Sequence, residues 1–323
     1  NQAAKESVLR YTEEWKDYVT RQARWVDFDN DYKTLDITFM ESVIWAFKTL
    51  YDKGLAYEGY RVLPYCWRDQ TPLSNHELRM DDDVYQPRQD QSVTVAFPLH
   101  GEAAVAAGLD GVRALAWTTT PWTLPTNLAL AVGPEISYVV IPSGPAGSAD
   151  GLGGERRSDG RYLLAKDTVG AYAKELGYES ADDALAAVER EVMGAELGGI
   201  GYERLFDYYA DTDTYGTGTA WQILVAEYVA TGEGTGIVHQ APAYGEDDQV
   251  TCEAAGIPVI ISVDDAGVFL PQVSDVAGMQ VFEANKPLTK LVAEAGRLVQ
   301  QRSYDHSYPH CWRCKQSVIF RAT

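Results

Sequence analysis

Two short segments, more than a hundred residues apart, hold the residue types that could do chemistry. The first, Trp117 to Asn127, reads W-T-T-T-P-W-T-L-P-T-N. Thr118, Thr119 and Thr120 offer three consecutive hydroxyls, each a donor and an acceptor. Pro121 forces Thr120 into extended backbone and fixes its own φ, and Pro125 repeats the constraint a turn later. Trp122 supplies a flat apolar surface, Thr123 another hydroxyl and Asn127 an amide. Such a rigid, hydroxyl-lined turn suits neutral recognition of a ribose, a phosphate oxygen or a carbonyl. A threonine-rich strand end capped by prolines is the plain structural alternative.

The second segment, Gly234 to Asp248, reads G-T-G-I-V-H-Q-A-P-A-Y-G-E-D-D. Its glycines permit close backbone approach. Ile237 and Val238 are strand-like, with His239 at the strand end. Glu246, Asp247 and Asp248 then open a helix, where acidic residues already favour the dipole. A carboxylate turned into a pocket could instead pair with an ammonium group. Neither segment contains a G-x-S-x-G elbow, a P-loop or an H-E-x-x-H pair.

A third constellation is split across the chain. Pro64 to Leu73 reads P-Y-C-W-R-D-Q-T-P-L, and Pro309 to Ile319 reads P-H-C-W-R-C-K-Q-S-V-I. Cys311 and Cys314 form half of a zinc site; Cys66 and Asp69 would form the other half, with a carboxylate in place of one thiolate. His310 competes as a ligand. The alternative is a pair of reduced turns whose thiols pack without metal. The fourth cysteine, Cys252, falls on a helical stretch and reads as a small buried apolar residue.

The elements that must position these residues follow from periodicity. Apolar spacing predicts helices over 5–24 and 38–53, hence a helical hairpin at 1–62 that closes with a short strand at 56–63. Short strands are predicted at 93–97, 112–117, 128–132, 138–141, 162–165, 223–228 and 236–239. Helices are predicted near 171–176, 181–190, 247–255 and 282–295. This mixture lacks strict strand–helix alternation, so the fold class is α+β: a partly closed β-barrel ringed by helices. The expected division is 63–85 for the first half of the knuckle and a linker, 86–300 for the barrel domain, and 301–323 for the second half of the knuckle. Ser143 to Gly160 reads as a flexible hairpin tip.

Composition narrows the function classes. With 323 residues and 46% hydrophobic content the chain can bury a large core. A net charge of −20 disfavours a broad duplex-binding surface, because phosphate binding rests on Lys and Arg, though a pocket for one nucleic-acid end stays possible. No apolar run is long enough to span a bilayer, so a soluble, cytoplasmic protein is expected. Four cysteines in this length are expected as thiols.

At these motifs the chain strongly resembles the inserted editing domain of the isoleucyl-tRNA synthetases. That family carries T-T-T-P-W-T-L-P-x-N and G-T-G-x-V-H-x-A-P-x-x-G-x-D-D, matched here almost letter for letter, and the likeness extends over nearly the whole chain. The resemblance implies hydrolysis of the ester of valine misattached to the isoleucine tRNA, and implies valyl-adenylate as a further substrate. Carried over residue by residue, it implies that Asp248 binds the α-ammonium group. His239, Trp122 and Thr123 would line the side-chain pocket, while Thr118, Thr119, Thr120 and Asn127 would hold the terminal adenosine and the ester. It implies a structural zinc, and as partners the tRNA acceptor end and the rest of the parent synthetase, with the segment itself a monomer. The family's ATP-handling segments, H-I-G-H and K-M-S-K-S, are absent from this sequence, so no use of ATP is expected. A non-hydrolytic aminoacyl-nucleotide binding module and a zinc-knuckle interaction module are the alternative readings. Tyr244 and Asp69 stand where relatives carry His and Cys.

Overall fold

The computed structural model describes residues 2–79, 83–145 and 160–323. It falls into two units, Asn1–Gly59 and Tyr60–Thr323. The first unit is helical. Its helices are Gln2–Leu9, Thr12–Arg21 and Ile37–Asp52, so the first predicted helix is interrupted by a turn at Arg10 and Tyr11. Tyr32 stacks on Phe39 at 5.5 Å and ties the connecting loop to the third helix. The strand expected at 56–63 starts later, running Val62–Cys66 in the second unit.

The second unit is built on strands. Tyr85–His100 pairs with Gly201–Tyr202, which pairs with Gln222–Val225. Next come Ala129–Val132, Ile237–Gln240 and Arg113–Thr118, and the last pairs back onto Tyr85–His100. The pairings therefore close a ring of six strands, one of them only two residues long. Beyond the ring the sheet runs out through Arg161–Ala165, Ser137–Pro142 and Arg190–Met193. The ring interior is packed with Val93, Val95, Phe97, Leu130, Val132 and Ile223. Each such side chain contributes about 1.5–3 kcal/mol on full burial. This is the α+β, partly closed barrel expected from periodicity.

Two features exceed the sequence expectation. The strand read at 93–97 is the inner end of the 16-residue Tyr85–His100. Its outer end forms a two-stranded ribbon with Leu298–Pro309, in one register from Tyr85↔Pro309 to Thr94↔Gln300, with a β-bulge before Val95↔Leu298. At the base, Val62–Cys66 lies between Ile319–Ala322 and Thr71–Pro72 in a small separate sheet. The ribbon and this sheet bring the two C-W-R repeats together. Most of the stretch 143–160 read as a hairpin tip lies outside the described residues.

Candidate functional site

The threonine-rich segment turns because its sequence ends a strand. Arg113–Thr118 stops three residues before Pro121, which has no N–H to continue a ladder. Pro121–Thr126 then forms a 3-10 turn with all six residues buried. The turn folds the hydroxyls back on themselves. Thr118 and Thr120 Oγ1 lie 3.2 Å apart, and Thr120 and Thr123 Oγ1 3.5 Å apart. The Thr123 hydroxyl donates to the Thr120 carbonyl at 2.9 Å. The turn is held from outside by Asn285, on the helix Val281–Glu294, whose Oδ1 accepts from the Trp122 amide at 2.9 Å.

The second segment runs beside it. Ile237–Gln240 pairs parallel with the threonine strand through Val238↔Trp117, and antiparallel with Ala129–Val132. Gly234 and Gly236 enter this strand at φ of +72° and +73°, where a side chain is strained. A Cβ on Gly236 would stand 2.4 Å from that of Ala165, so the G-T-G spelling is a packing requirement. After Pro242 the chain turns at Gly245 into the helix Glu246–Ala254. Asp248, on its first turn, leans back over the loop. Its Oδ2 accepts from the Ala241 amide at 2.8 Å, and a Cβ on Gly245 would lie 2.6 Å from its Cγ.

Between the two segments is a cavity of about 280 Å³. Thr118, Thr119, Thr120, Thr123, His239 and Asp248 all line it, so six of the eight candidate site residues meet on one surface. Tyr244 adds a wall. Its hydroxyl is drawn away from the cavity, bonding Ser262 Oγ at 2.7 Å and accepting from the Ser262 amide at 2.8 Å.

Trp122 and Asn127 are not among the lining residues. The resemblance implied Trp122 as a pocket wall and Asn127 as a contact to adenosine. Both are instead buried behind the wall. Trp122 packs edge-on against Tyr244 with ring centroids 4.7 Å apart, because the 3-10 turn directs its indole into the core. Asn127 has its amide taken up by His239, Ala129 and Tyr202.

His239 is held at both nitrogens. Nε2 lies 2.9 Å from Thr123 Oγ1 and Nδ1 lies 2.8 Å from Asn127 Nδ2. Burial pushes its pKa down to about 3, so the ring is neutral at pH 7. Asp248 shifts the other way. Burial, with a smaller contribution from Asp247, raises it to about 7, while the Ala241 amide opposes the rise. A cationic ligand beside it would restore the carboxylate.

The knuckle residues also converge. One ligand atom from each of Cys66, Asp69, Cys311 and Cys314 lies within 4.8 Å of all the others. Cys66 Sγ and Cys314 Sγ are 3.4 Å apart. The two half-sites share a backbone device. Gln70 and Lys315, each four residues after the first cysteine of its repeat, have φ of +52° and +58°. Leu73, Leu78, Val84 and Val318 pack around the cluster. His310 is not part of it; its Nδ1 lies 2.9 Å from the Tyr308 carbonyl and its Nε2 3.1 Å from Ser317 Oγ. Cys252 is fully buried, as its helical position predicted.

Residues 1–313 match the family of class I tRNA synthetases (I, L, M and V). The chain belongs to that family. Among its relatives, the isoleucine–tRNA ligase of Leifsonia xyli subsp. xyli is 71% identical over 324 residues, covering 100% of this chain and 29% of that protein. The isoleucine–tRNA ligase of Tropheryma whipplei (strain Twist) is 54% identical over 322 residues, with the same two coverages. The chain thus spans 29% of the length of these synthetases. Among solved structures, the editing domain of the P. knowlesi cytosolic leucyl-tRNA synthetase is similar over 70% of this chain and 99% of that one, at 11% identity and a TM-score of 0.46. The relatives that this synthetase segment matches along its whole length are isoleucine–tRNA ligases. No described helix in it is long and apolar enough to cross a membrane.

Sequence reasoning missed Tyr202 and Asn285. Tyr202 sits in a two-residue strand and Asn285 in mid-helix, so neither position carries a local signal of its role.

Proposed function

We propose that the cavity binds an aminoacyl ester at the end of the isoleucine tRNA and hydrolyses it when the amino acid is valine, or valine as its adenylate. The observation that carries this reading is that Asp248 lines one cavity together with Thr118, Thr120, Thr123 and His239. Asp248 pairs with the α-ammonium group in a charge-assisted contact. Thr118, Thr119 and Thr120 hold the ester and the adjoining ribose. Thr123, His239 and Tyr244 bound the aliphatic side chain, while Trp122 and Asn127 act by fixing those walls. A pocket of fixed size separates valine from isoleucine by steric exclusion of the larger side chain, a second sieve where one methylene gives too little binding energy in the first; the handling of these two amino acids by this synthetase is the standard illustration of that limit.

The attack needs no covalent intermediate. His239 has no free nitrogen to take a proton, so the water is oriented by the threonine hydroxyls and the free ribose hydroxyl. Cys66, Asp69, Cys311 and Cys314 would hold a structural zinc through three thiolates and one carboxylate, a donor set that fits because zinc accepts both sulfur and oxygen. The partners are the acceptor end of the mischarged tRNA and the remainder of the synthetase, in the cytoplasm, with the segment itself monomeric.

Release of valine from Val-tRNA(Ile) tests the reading. Wild type is expected to release it well above the background rate and Asp248→Ala to fall back towards that rate. Equal rates for the two would leave a binding module without hydrolysis.

A further inference from the structure

Tyr202 lies outside both motif segments, on the short strand Gly201–Tyr202. Its ring is fully enclosed and set by an edge-on contact with Phe97, centroids 5.3 Å apart at 79°. Its hydroxyl donates to Asn127 Oδ1 at 2.8 Å. Burial holds the phenol well above its ordinary pKa, so that proton stays in place.

The direction of every bond beyond it follows. Asn127 Nδ2 stands 3.0 Å from the Ala129 carbonyl, which only accepts. Reversing the amide would set oxygen against oxygen there and leave the Tyr202 proton without its acceptor. The amide nitrogen therefore also donates to His239 Nδ1, 2.8 Å away. An imidazole nitrogen that accepts carries no proton, so the ring proton is on Nε2. Nε2–H donates to Thr123 Oγ1 at 2.9 Å, and the Thr123 hydroxyl passes its own proton to the Thr120 carbonyl at 2.9 Å. One unbroken donor chain thus runs from the barrel interior to the threonine turn. An imidazolium would bring an N–H against the Asn127 NH₂.

We propose that Tyr202 is a positioning residue which, through Asn127, locks His239 as the neutral Nε2–H tautomer. With both nitrogens engaged, the ring meets a ligand through carbon. It is then a fixed apolar wall, suited to measuring an aliphatic side chain by shape. This deepens the proposed function and rests on the reading that the cavity gauges such a side chain.

The test is ¹⁵N NMR of the histidine-labelled protein, with the His239 signals assigned by their loss in His239→Gln. Wild type is expected to show a single Nε2–H tautomer. Tyr202→Phe keeps the ring and removes one oxygen; it is expected to mix the tautomers and to lower the preference for Val-tRNA(Ile) over Ile-tRNA(Ile) by about tenfold. Should that variant fold poorly, Asn127→Asp supplies an acceptor-only isostere, and the His239 proton is expected to move to Nδ1. A wild-type ring protonated on Nδ1 overturns the proposal, as does a Tyr202→Phe protein with unchanged tautomer and selectivity. Should wild type release no valine while the tautomer still responds to Tyr202 and Asn127, the lock stands and the deacylation reading fails.

Discussion

Thr123 Oγ1 lies 2.9 Å from His239 Nε2, a contact between residues 116 positions apart. It joins the two sequence motifs directly, and it gives the Nε2 proton an acceptor within the protein. The site therefore treats its histidine as part of the wall.

Enlarging that wall should change what the cavity admits. Thr123→Ala leaves the buried Nε2–H without its acceptor, at a cost of about 1–3 kcal/mol in stability. Both Thr123→Ala and His239→Ala are expected to deacylate Ile-tRNA(Ile), which the wild type is expected to spare. Measured selectivity that stays with valine in both variants would place the sieve elsewhere.

Asp248 should set the pH dependence of activity. Its folded pKa of about 7 lies above the ordinary carboxylate value, so the unliganded site holds a neutral acid below pH 7. Binding of an ammonium group needs the carboxylate, and kcat/KM is expected to rise through about pH 7. Asp248→Asn should abolish that limb and lower kcat/KM by about 10- to 100-fold, the loss of one charged hydrogen bond.

Stability should respond to the same pair with opposite signs. A raised carboxylate favours the folded state below its unfolded value, and this contribution is lost as pH climbs through about 7. His239, depressed to about 3, gives stability that is full above its unfolded pKa and is lost as pH falls from about 6.5 towards 3. His239→Gln should flatten the acid side of the stability profile and Asp248→Asn the alkaline side, as read by denaturant midpoints across pH.

Gly245 should tolerate no side chain. A Cβ there meets the Asp248 carboxylate at 2.6–2.9 Å, so Gly245→Ala must push it away from the Ala241 amide. The expected result is a raised KM with little change in melting temperature, since the displaced group is polar and at the cavity wall. An unchanged KM would separate Asp248 from substrate binding.

Metal content tests the knuckle. Purified protein is expected to carry close to one equivalent of zinc, and a strong chelator should lower its melting temperature. Cys314→Ser should do the same by weakening one of three thiolate bonds. Less than a tenth of an equivalent in untreated protein would leave the cluster as packed thiols.

Much of the architecture was legible because local chemistry repeats at the period of its element. The strands Arg113–Thr118, Ala129–Val132 and Ile237–Gln240, and the helices Glu246–Ala254 and Val281–Glu294, stand within a residue or two of their predicted bounds. The ribbon strand Leu298–Pro309 was missed. Its sequence, L-V-Q-Q-R-S-Y-D-H-S-Y-P, is mostly polar, and its partner across the ribbon supplies what its own propensity does not.

The sequence by itself determined the inventory: which hydroxyls, which carboxylate, which thiols, and the prolines and glycines that bend the backbone around them. Those are properties of residue type and nearest neighbours. Only the tertiary structure decided which of them face a ligand. Strand pairing set Thr123 against His239. Burial turned Trp122 and Asn127 inward, away from the cavity, and brought Tyr202 into a chain no local pattern marks. Whether a side chain meets solvent, a ligand or the core depends on what packs over it, and that partner lies anywhere along the chain.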